Sequence, residues 1–233
     1  MQKGVSMTST TATSLSPTPS TELLSVALRN QTAKAHEAAE GSAFMQMLLN
    51  GQLDKDSVVQ LHGQYWAIYP ALDAAMAEAA VATCAAAIYD PRLERTAALE
   101  HDLHAMCGDA WRDEIVITPA TKRYVERLEQ LRLQISPLVI AQHYVRYLGD
   151  LSGGQVIRRC LGRDYGIPES SLTFYDFSAV GKIPTYRNQY RQKLDELALN
   201  DEARARLVEE AQYAFRLNQE MFADLQRVSH SQA

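Results

Sequence analysis

Three of the eleven glycines in this 233-residue chain fall within six positions, at Gly149, Gly153 and Gly154. They lie in the run HYVRYLGDLSGGQVIRR (143–159), where Val145, Leu148, Leu151 and Val156 recur near helical spacing. Each glycine inside a helix costs about 1 kcal/mol relative to alanine, so the cluster costs about 3 kcal/mol. Domain stability is only about 5–15 kcal/mol, and something must offset the loss. Gly149 and Gly153 are four apart and share a helix face. Without Cβ atoms there, either a neighbouring helix or a flat ligand can approach the backbone. Asp150 stands between them, with Arg146 one turn earlier as an i,i+4 partner. A carboxylate beside a bare surface can hold water and relay protons, or it can be an exposed helix charge.

The second group is LRNQTAKAHEAAE (28–40). At 100° per residue, Arg29, Thr32, His36 and Glu40 fall on one stripe about 80° wide. A histidine on such a stripe can bind iron through one ring nitrogen while a carboxylate or water holds the other N–H. Glu40 is placed to do so, though a structural role for the histidine is also open, and His62 and His143 compete with it. His101 and His104 share a face but have no obvious carboxylate partner, and read as a solvated surface. The chain lacks Cys-x-x-Cys-His, His-Glu-x-x-His, a P-loop, Gly-x-Gly-x-x-Gly and any Glu-x-x-His. A di-iron carboxylate bundle is therefore not expected.

The elements that must position these groups are helices. Ala (32) and Leu (26) make up about a quarter of the chain, while glycine (11) and proline (8) are scarce. This predicts an all-α, single-domain multi-helix bundle, with a Ser/Thr/Pro-rich disordered tail over 1–20, a helical domain over 21–229 and a short tail at 230–233. Helical patterning opens at Thr21-Glu22 and continues to a link at Asn50-Gly51. It resumes from Asp54 to about Ala87, with Pro70 expected to kink or break that helix. Further helices are expected from about Pro91 to Met106, from Pro119 to Leu133, from an N-cap at Ser136-Pro137 to about Leu161, and over 185–198 and 201–228. Gly108 is a stop, and 163–184 reads as loop. No run approaches 18 apolar residues, so no membrane anchor is expected. A net charge of −5 with pI near 5.7 argues against nucleic acid. The N-terminus has no secretory h-region. Cys84, Cys107 and Cys160 form no framework; they read as free, small buried hydrophobes in a reducing, cytoplasmic setting.

The run YLGDLSGGQ (147–155) and the pattern around His36 together resemble the haem oxygenase family, in the form of its soluble bacterial members. IYPALDAAM (68–76), RYVERLEQL (123–131), TYRNQYRQKL (185–194) and EEAQYAFRLNQEMF (209–222) extend the resemblance over about residues 21–228. It implies haem b, as substrate and cofactor, held between a proximal helix and a kinked distal helix. It also implies conversion of haem with dioxygen and external electrons to biliverdin, ferrous iron and carbon monoxide, usually by cleavage at the α-meso carbon.

Carried over by position, His36 would bind iron with Glu40 orienting it. Gly149 and Gly153 would lie over the distal haem face, with Gly154 letting the helix bend. Asp150 would anchor a water network that delivers protons, joined by Arg146, Tyr69, Tyr124 and Asn218. Arg29, Tyr144, Arg187 and Arg191 would meet the propionates, with Thr32 on the same helix stripe as Arg29. Arg29 and Arg187 stand where many members have lysine, which keeps charge but changes contact geometry. Phe215 and Phe222 would pack near the pocket. A ferredoxin or flavoprotein reductase would supply electrons to a monomer. Two other classes remain: a non-catalytic haem carrier or store, and thiamin-salvage enzymes of similar architecture. The latter need a catalytic cysteine, and no cysteine here has an accompanying motif.

Overall fold

Leucine and alanine at helical spacing build ten α-helices and no strand among residues 22–231, which the computed structural model describes. The expected tail over 1–20, the start at Thr21 and residues 232–233 lie outside them. The helices are α1 (Leu24–Glu40), α2 (Ala43–Leu49), α3 (Lys55–Ala82), α4 (Thr96–Cys107), α5 (Trp111–Glu114), α6 (Pro119–Leu133), α7 (Val139–Gly149), α8 (Gln155–Asp164), α9 (Ile183–Asp195) and α10 (Asp201–Ser231). Between α7 and α8 the chain makes one π-helical turn, Asp150–Gly154. α3 packs along α6, α1 along α10, and α7 lies between α3 and α10.

The all-α expectation holds, with local corrections. The segment that read as continuous to Asn50 breaks at Gly41-Ser42, where the Ser42 hydroxyl caps α2 by accepting from the Met45 N–H at 3.4 Å. Pro70 does not break α3, which runs through it for 28 residues. Ile68, Tyr69, Ala71 and Leu72 around it are all buried, and this packing outweighs the lost hydrogen bond. α3 ends at Ala82, and Cys84–Ala87 form a 3-10 turn. Thr118 caps α6, with Pro119 in its first turn. The Ser136 hydroxyl accepts from the Leu138 N–H at 3.3 Å, so that turn precedes α7 rather than starting it. The 163–184 connection carries three short 3-10 turns. Cys160 is buried, but Cys84 and Cys107 are only half-buried. His104 does have a carboxylate partner, Asp109 at 2.7 Å, and His101 pairs with the Ser170 carbonyl at 3.0 Å.

α9 is pinned along its buried side. The Tyr186 hydroxyl donates to Asp90 at 2.8 Å. Tyr190 shares a 2.7 Å hydrogen bond with His143 of α7. Asp195 accepts from the N–H and hydroxyl of Ser25, in the first turn of α1, at 2.7 and 2.9 Å. His143 is buried, and this holds its imidazole down at about 3 against the opposing pull of Asp90.

Two stability predictions follow from these features. Ile135 follows α6 with φ of 48° and is 46% exposed. A β-branched residue costs about 1–2 kcal/mol in the left-handed region, which asparagine tolerates. Ile135→Asn should raise Tm by about 2–4 °C for each kcal/mol relieved in a chain of this size, read by calorimetry. Second, an unfolded histidine titrates near 6.5 and His143 near 3, so below about pH 6.5 the unfolded chain takes up a proton that the folded chain refuses. Stability should therefore fall with falling pH across that window. His143→Gln should flatten the fall by up to about 1.4 kcal/mol per pH unit, measured by urea unfolding.

Candidate functional site

α1 and the distal pair α7–α8 face each other across a cavity of about 560 Å³. All four residues of the α1 stripe, Arg29, Thr32, His36 and Glu40, line it. His36 is exposed on this wall, its Nδ1 3.5 Å from Glu40 Oε2, its ring edge-on to Phe215 at 5.6 Å. Nε2 is left for a ligand. The Thr32 hydroxyl donates back to the Leu28 carbonyl at 2.7 Å and so serves its own helix first.

On the opposite wall, Gly149 and Gly153 both face open space: a Cβ built on either would meet nothing within 4 Å. Packing against a neighbouring helix therefore does not explain the pair, since none approaches it. Gly154 differs. A Cβ there would meet the Tyr175 ring at 3.4 Å, so this glycine seats the π-turn on Tyr175 as well as lining the cavity.

Asp150 lines the cavity half-buried, and it is not simply paired with Arg146. The Tyr69 hydroxyl donates to Asp150 Oδ2, and Arg146 reaches that hydroxyl from behind, Nε to oxygen 3.3 Å. Arg146 also donates to Asn218 Oδ1 at 2.6 Å and lies over the rings of Tyr65 and Tyr69 at 4.5 and 4.9 Å. Burial pushes the Asp150 carboxyl above the usual carboxylate range, partly offset by Arg146 and by the bond from Tyr69. Tyr69 and Tyr124 are fully buried and stand behind the cavity wall, whereas Arg146 and Asn218 reach it. The Tyr124 hydroxyl has no hydrogen-bond partner among the described residues.

Arg29, Tyr144, Arg187 and Arg191 also line the cavity. Among the described residues, none of these three arginines has a carboxylate partner. Arg187 Nε is buried and unpaired, and burial together with the neighbouring Arg191 lowers its pKa. Crowded cations without a counter-ion fit an anionic ligand. Phe215 and Phe222 both line the cavity, Phe222 stacked on Phe44 at 6.1 Å.

The competing histidines are elsewhere. His62 and His143 are buried in the core, with Nδ1 bonded to the Val58 carbonyl at 2.9 Å and to Tyr190 respectively. Among the described residues no group of three or more His, Cys, Asp or Glu could hold a metal ion, and of these three histidines only His36 lines the cavity. Sequence reasoning missed Tyr65, which lines the cavity beneath Arg146 and whose phenol burial pushes up to about 12. Its signal was available: Tyr65 and Tyr69 are four apart and share a helix face.

Comparison with known proteins agrees with this arrangement. The family model described as "Heme oxygenase" matches residues 22–224. "Heme oxygenase 1" of Synechocystis sp. is 34% identical over 199 residues, 85% of this chain and 83% of that protein. Human "Heme oxygenase 1" is 35% identical, over 88% of this chain and 72% of the human one. The crystal structure of the Synechocystis sp. PCC6803 heme oxygenase-1 in complex with heme superposes with a TM-score of 0.85 at 33% identity, covering 90% of this chain and 95% of that one. A histidine facing bare glycine backbone and a half-buried acid beside that backbone agree with this match, and the match over nearly the whole helical region places the chain in the haem oxygenase family.

Proposed function

We propose that this chain degrades haem to biliverdin, ferrous iron and carbon monoxide, with dioxygen and external electrons, cleaving at the α-meso position. The observation that carries the reading is the distal wall. Gly149 and Gly153 leave open space directly beside Asp150, opposite a free histidine nitrogen. When bound, haem supplies both the iron that activates dioxygen and the porphyrin that is cleaved.

The protein's own groups then divide the work. His36 holds the iron through Nε2, with Glu40 fixing the ring. A neutral imidazole is a weaker electron donor than a thiolate and pushes less toward O–O cleavage. Arg29, Arg187 and Arg191, with Tyr144, take the propionates and set the porphyrin's rotation in its plane. The bare backbone at Gly149 and Gly153 lets a flat ligand lie directly against the distal helix. Asp150 holds water there and passes protons. Its raised pKa keeps a proton available nearer neutral pH than an ordinary carboxyl would, and Tyr69, Arg146 and Asn218 fix its orientation. A carrier would need the histidine and the arginines but has no use for this acid. We further propose a cytoplasmic monomer that takes electrons from a ferredoxin or flavoprotein reductase docked near the cavity mouth. No helix among the described residues is long and apolar enough to cross a membrane.

Reconstitution with haem followed by reductant and air, monitored by visible absorption, tests the reading. The unmodified chain should yield biliverdin. Asp150→Ala should bind haem with an unchanged histidine-ligated spectrum but form biliverdin about 10²-fold more slowly or worse. Normal turnover by that variant would remove Asp150 from proton delivery. His36→Ala should lose the histidine-ligated spectrum. Gly149 has helical dihedrals and no neighbour within 4 Å, so Gly149→Ala should raise the Tm of the haem-free protein by the equivalent of up to about 1 kcal/mol. The same change should weaken haem binding, separating the stability cost of that glycine from its use.

A further inference from the structure

α9 presents two faces with different tasks. Arg187 and Arg191, one turn apart, line the cavity. Tyr186 and Tyr190, each one residue earlier, are buried on the other side. Neighbouring residues on a helix differ by 100°, so any rotation of α9 that moves the tyrosines swings the arginines with them.

The middle pin is the only one of the three that ties α9 to the distal helix. The Tyr190 hydroxyl and His143 Nδ1 share a 2.7 Å hydrogen bond, and the two rings lie parallel within 3° at 5.7 Å between centroids. His143 in turn packs on Tyr147 at 4.4 Å, whose hydroxyl donates to Asp73 of α3. The residue after His143 in α7, Tyr144, already lines the cavity, and Val145 and Arg146 of the distal wall follow it. A buried hydrogen bond between a neutral imidazole and a phenol is directional, and an apolar contact of the same size is not. Arg187 and Arg191 gain no such restraint of their own, since neither has a carboxylate partner among the described residues and Arg191 touches only Asn188 Oδ1 at 3.3 Å.

We infer that Tyr190 and His143 are positioning residues for substrate orientation: their hydrogen bond locks the rotation of α9 relative to the distal helix and so sets where Arg187 and Arg191 meet the carboxylates of the bound ligand. The inference rests on the haem reading of the cavity. It concerns the difference between a ligand with free carboxylates and the same ligand without them. It leaves iron ligation by His36 untouched, because that residue lies on α1.

The test compares binding of haem and of haem dimethyl ester, which keeps the ring and iron and removes both carboxylate charges. The unmodified chain should prefer haem. Tyr190→Phe keeps the stacked ring and deletes only the hydroxyl. It should shrink the haem-to-ester affinity ratio by about two- to tenfold, the worth of one hydrogen bond, with ester binding and the ligation spectrum unchanged. His143→Phe should shrink the ratio in the same direction. Combining Tyr190→Phe with Arg191→Ala should shrink it by less than the product of the two separate effects, because both act on one contact. An unchanged ratio in Tyr190→Phe, or equal weakening of both ligands, would overturn the inference and leave the pair as core packing. Should His143→Phe fail to fold, the Tyr190→Phe ratio decides alone. Failure of the unmodified chain to bind either ligand would overturn the haem reading itself and the inference with it.

Discussion

A positive charge is buried near the centre of this bundle, and the placement of the surrounding helices depends on keeping it satisfied. Arg146 is 6% exposed and has no carboxylate in direct contact. An isolated ion at such a depth costs several kcal/mol unless its donors are met. The answer is distributed and leaves Nη2 without a hydrogen-bond partner among the described residues: α10 gives the Asn218 carbonyl oxygen, α3 gives the Tyr69 hydroxyl and the faces of Tyr65 and Tyr69, and Asp150 supplies the opposite charge one hydroxyl away. Three helices are thus set in register around one guanidinium. The same arrangement leaves Asp150 with one oxygen held from behind and its other side toward the cavity. The group that makes the core electrostatically tolerable is also the one that aims the acid.

The distal helix resolves a conflict between packing and access. A regular helix through 139–164 would carry its apolar face around by 100° per residue without adjustment. The π-turn at Asp150–Gly154 absorbs extra chain at one point, as such turns do at functional sites. Val145 and Leu148 can then face the cavity from α7, while Cys160 and Leu161 bury from α8. Gly154 lets the turn sit on Tyr175, while Gly149 and Gly153 look outward at nothing. Glycines that are close in sequence therefore do separate work, one in packing and two in leaving space.

The parts of this site that were legible in the sequence are those whose meaning is local. The Arg29–Thr32–His36–Glu40 stripe is a matter of 100° steps along one helix, and all four residues do line the cavity. The glycine pair was visible because glycine is scarce elsewhere, although on composition alone a neighbouring helix was the favoured explanation until the empty space beside it was seen. What could not be read depends on contacts between residues far apart in the chain. Arg146 looks like a partner for Asp150 at i,i+4, yet Tyr69, 81 positions away from Asp150, comes between them. His143 looked like a rival iron ligand, and only the position of α9 turns it into the partner of Tyr190. Pro70 read as a break because propensity is local, and burial on both sides of it is not. The missed stop at Gly41-Ser42 was local after all, a serine cap hidden inside a continuing apolar pattern.

The two walls of the cavity are supported in different ways. The distal wall is backed by α3, α6 and α10 and by the Arg146 network. The proximal wall is one helix lying along α10, tied at its start by Ser25 to Asp195 and farther along by Gln212 and Gln219, whose amides donate to the Gln31 and Ala35 carbonyls at 3.0 and 2.8 Å, with His36 exposed on the cavity side. Val145, Leu148, Ile157, Met45, Phe215 and Phe222 also border the open space, so a flat apolar ligand gains from covering them as well as from its ligand bond and ion pairs. A ligand that bridges both walls stabilises the folded chain by RT ln(1 + [L]/Kd). The histidine is carried on one wall and the acid on the other, so a ligand that meets both must span the cavity, and on the acid's side the buried arginine holds the Tyr69 hydroxyl that Asp150 accepts from.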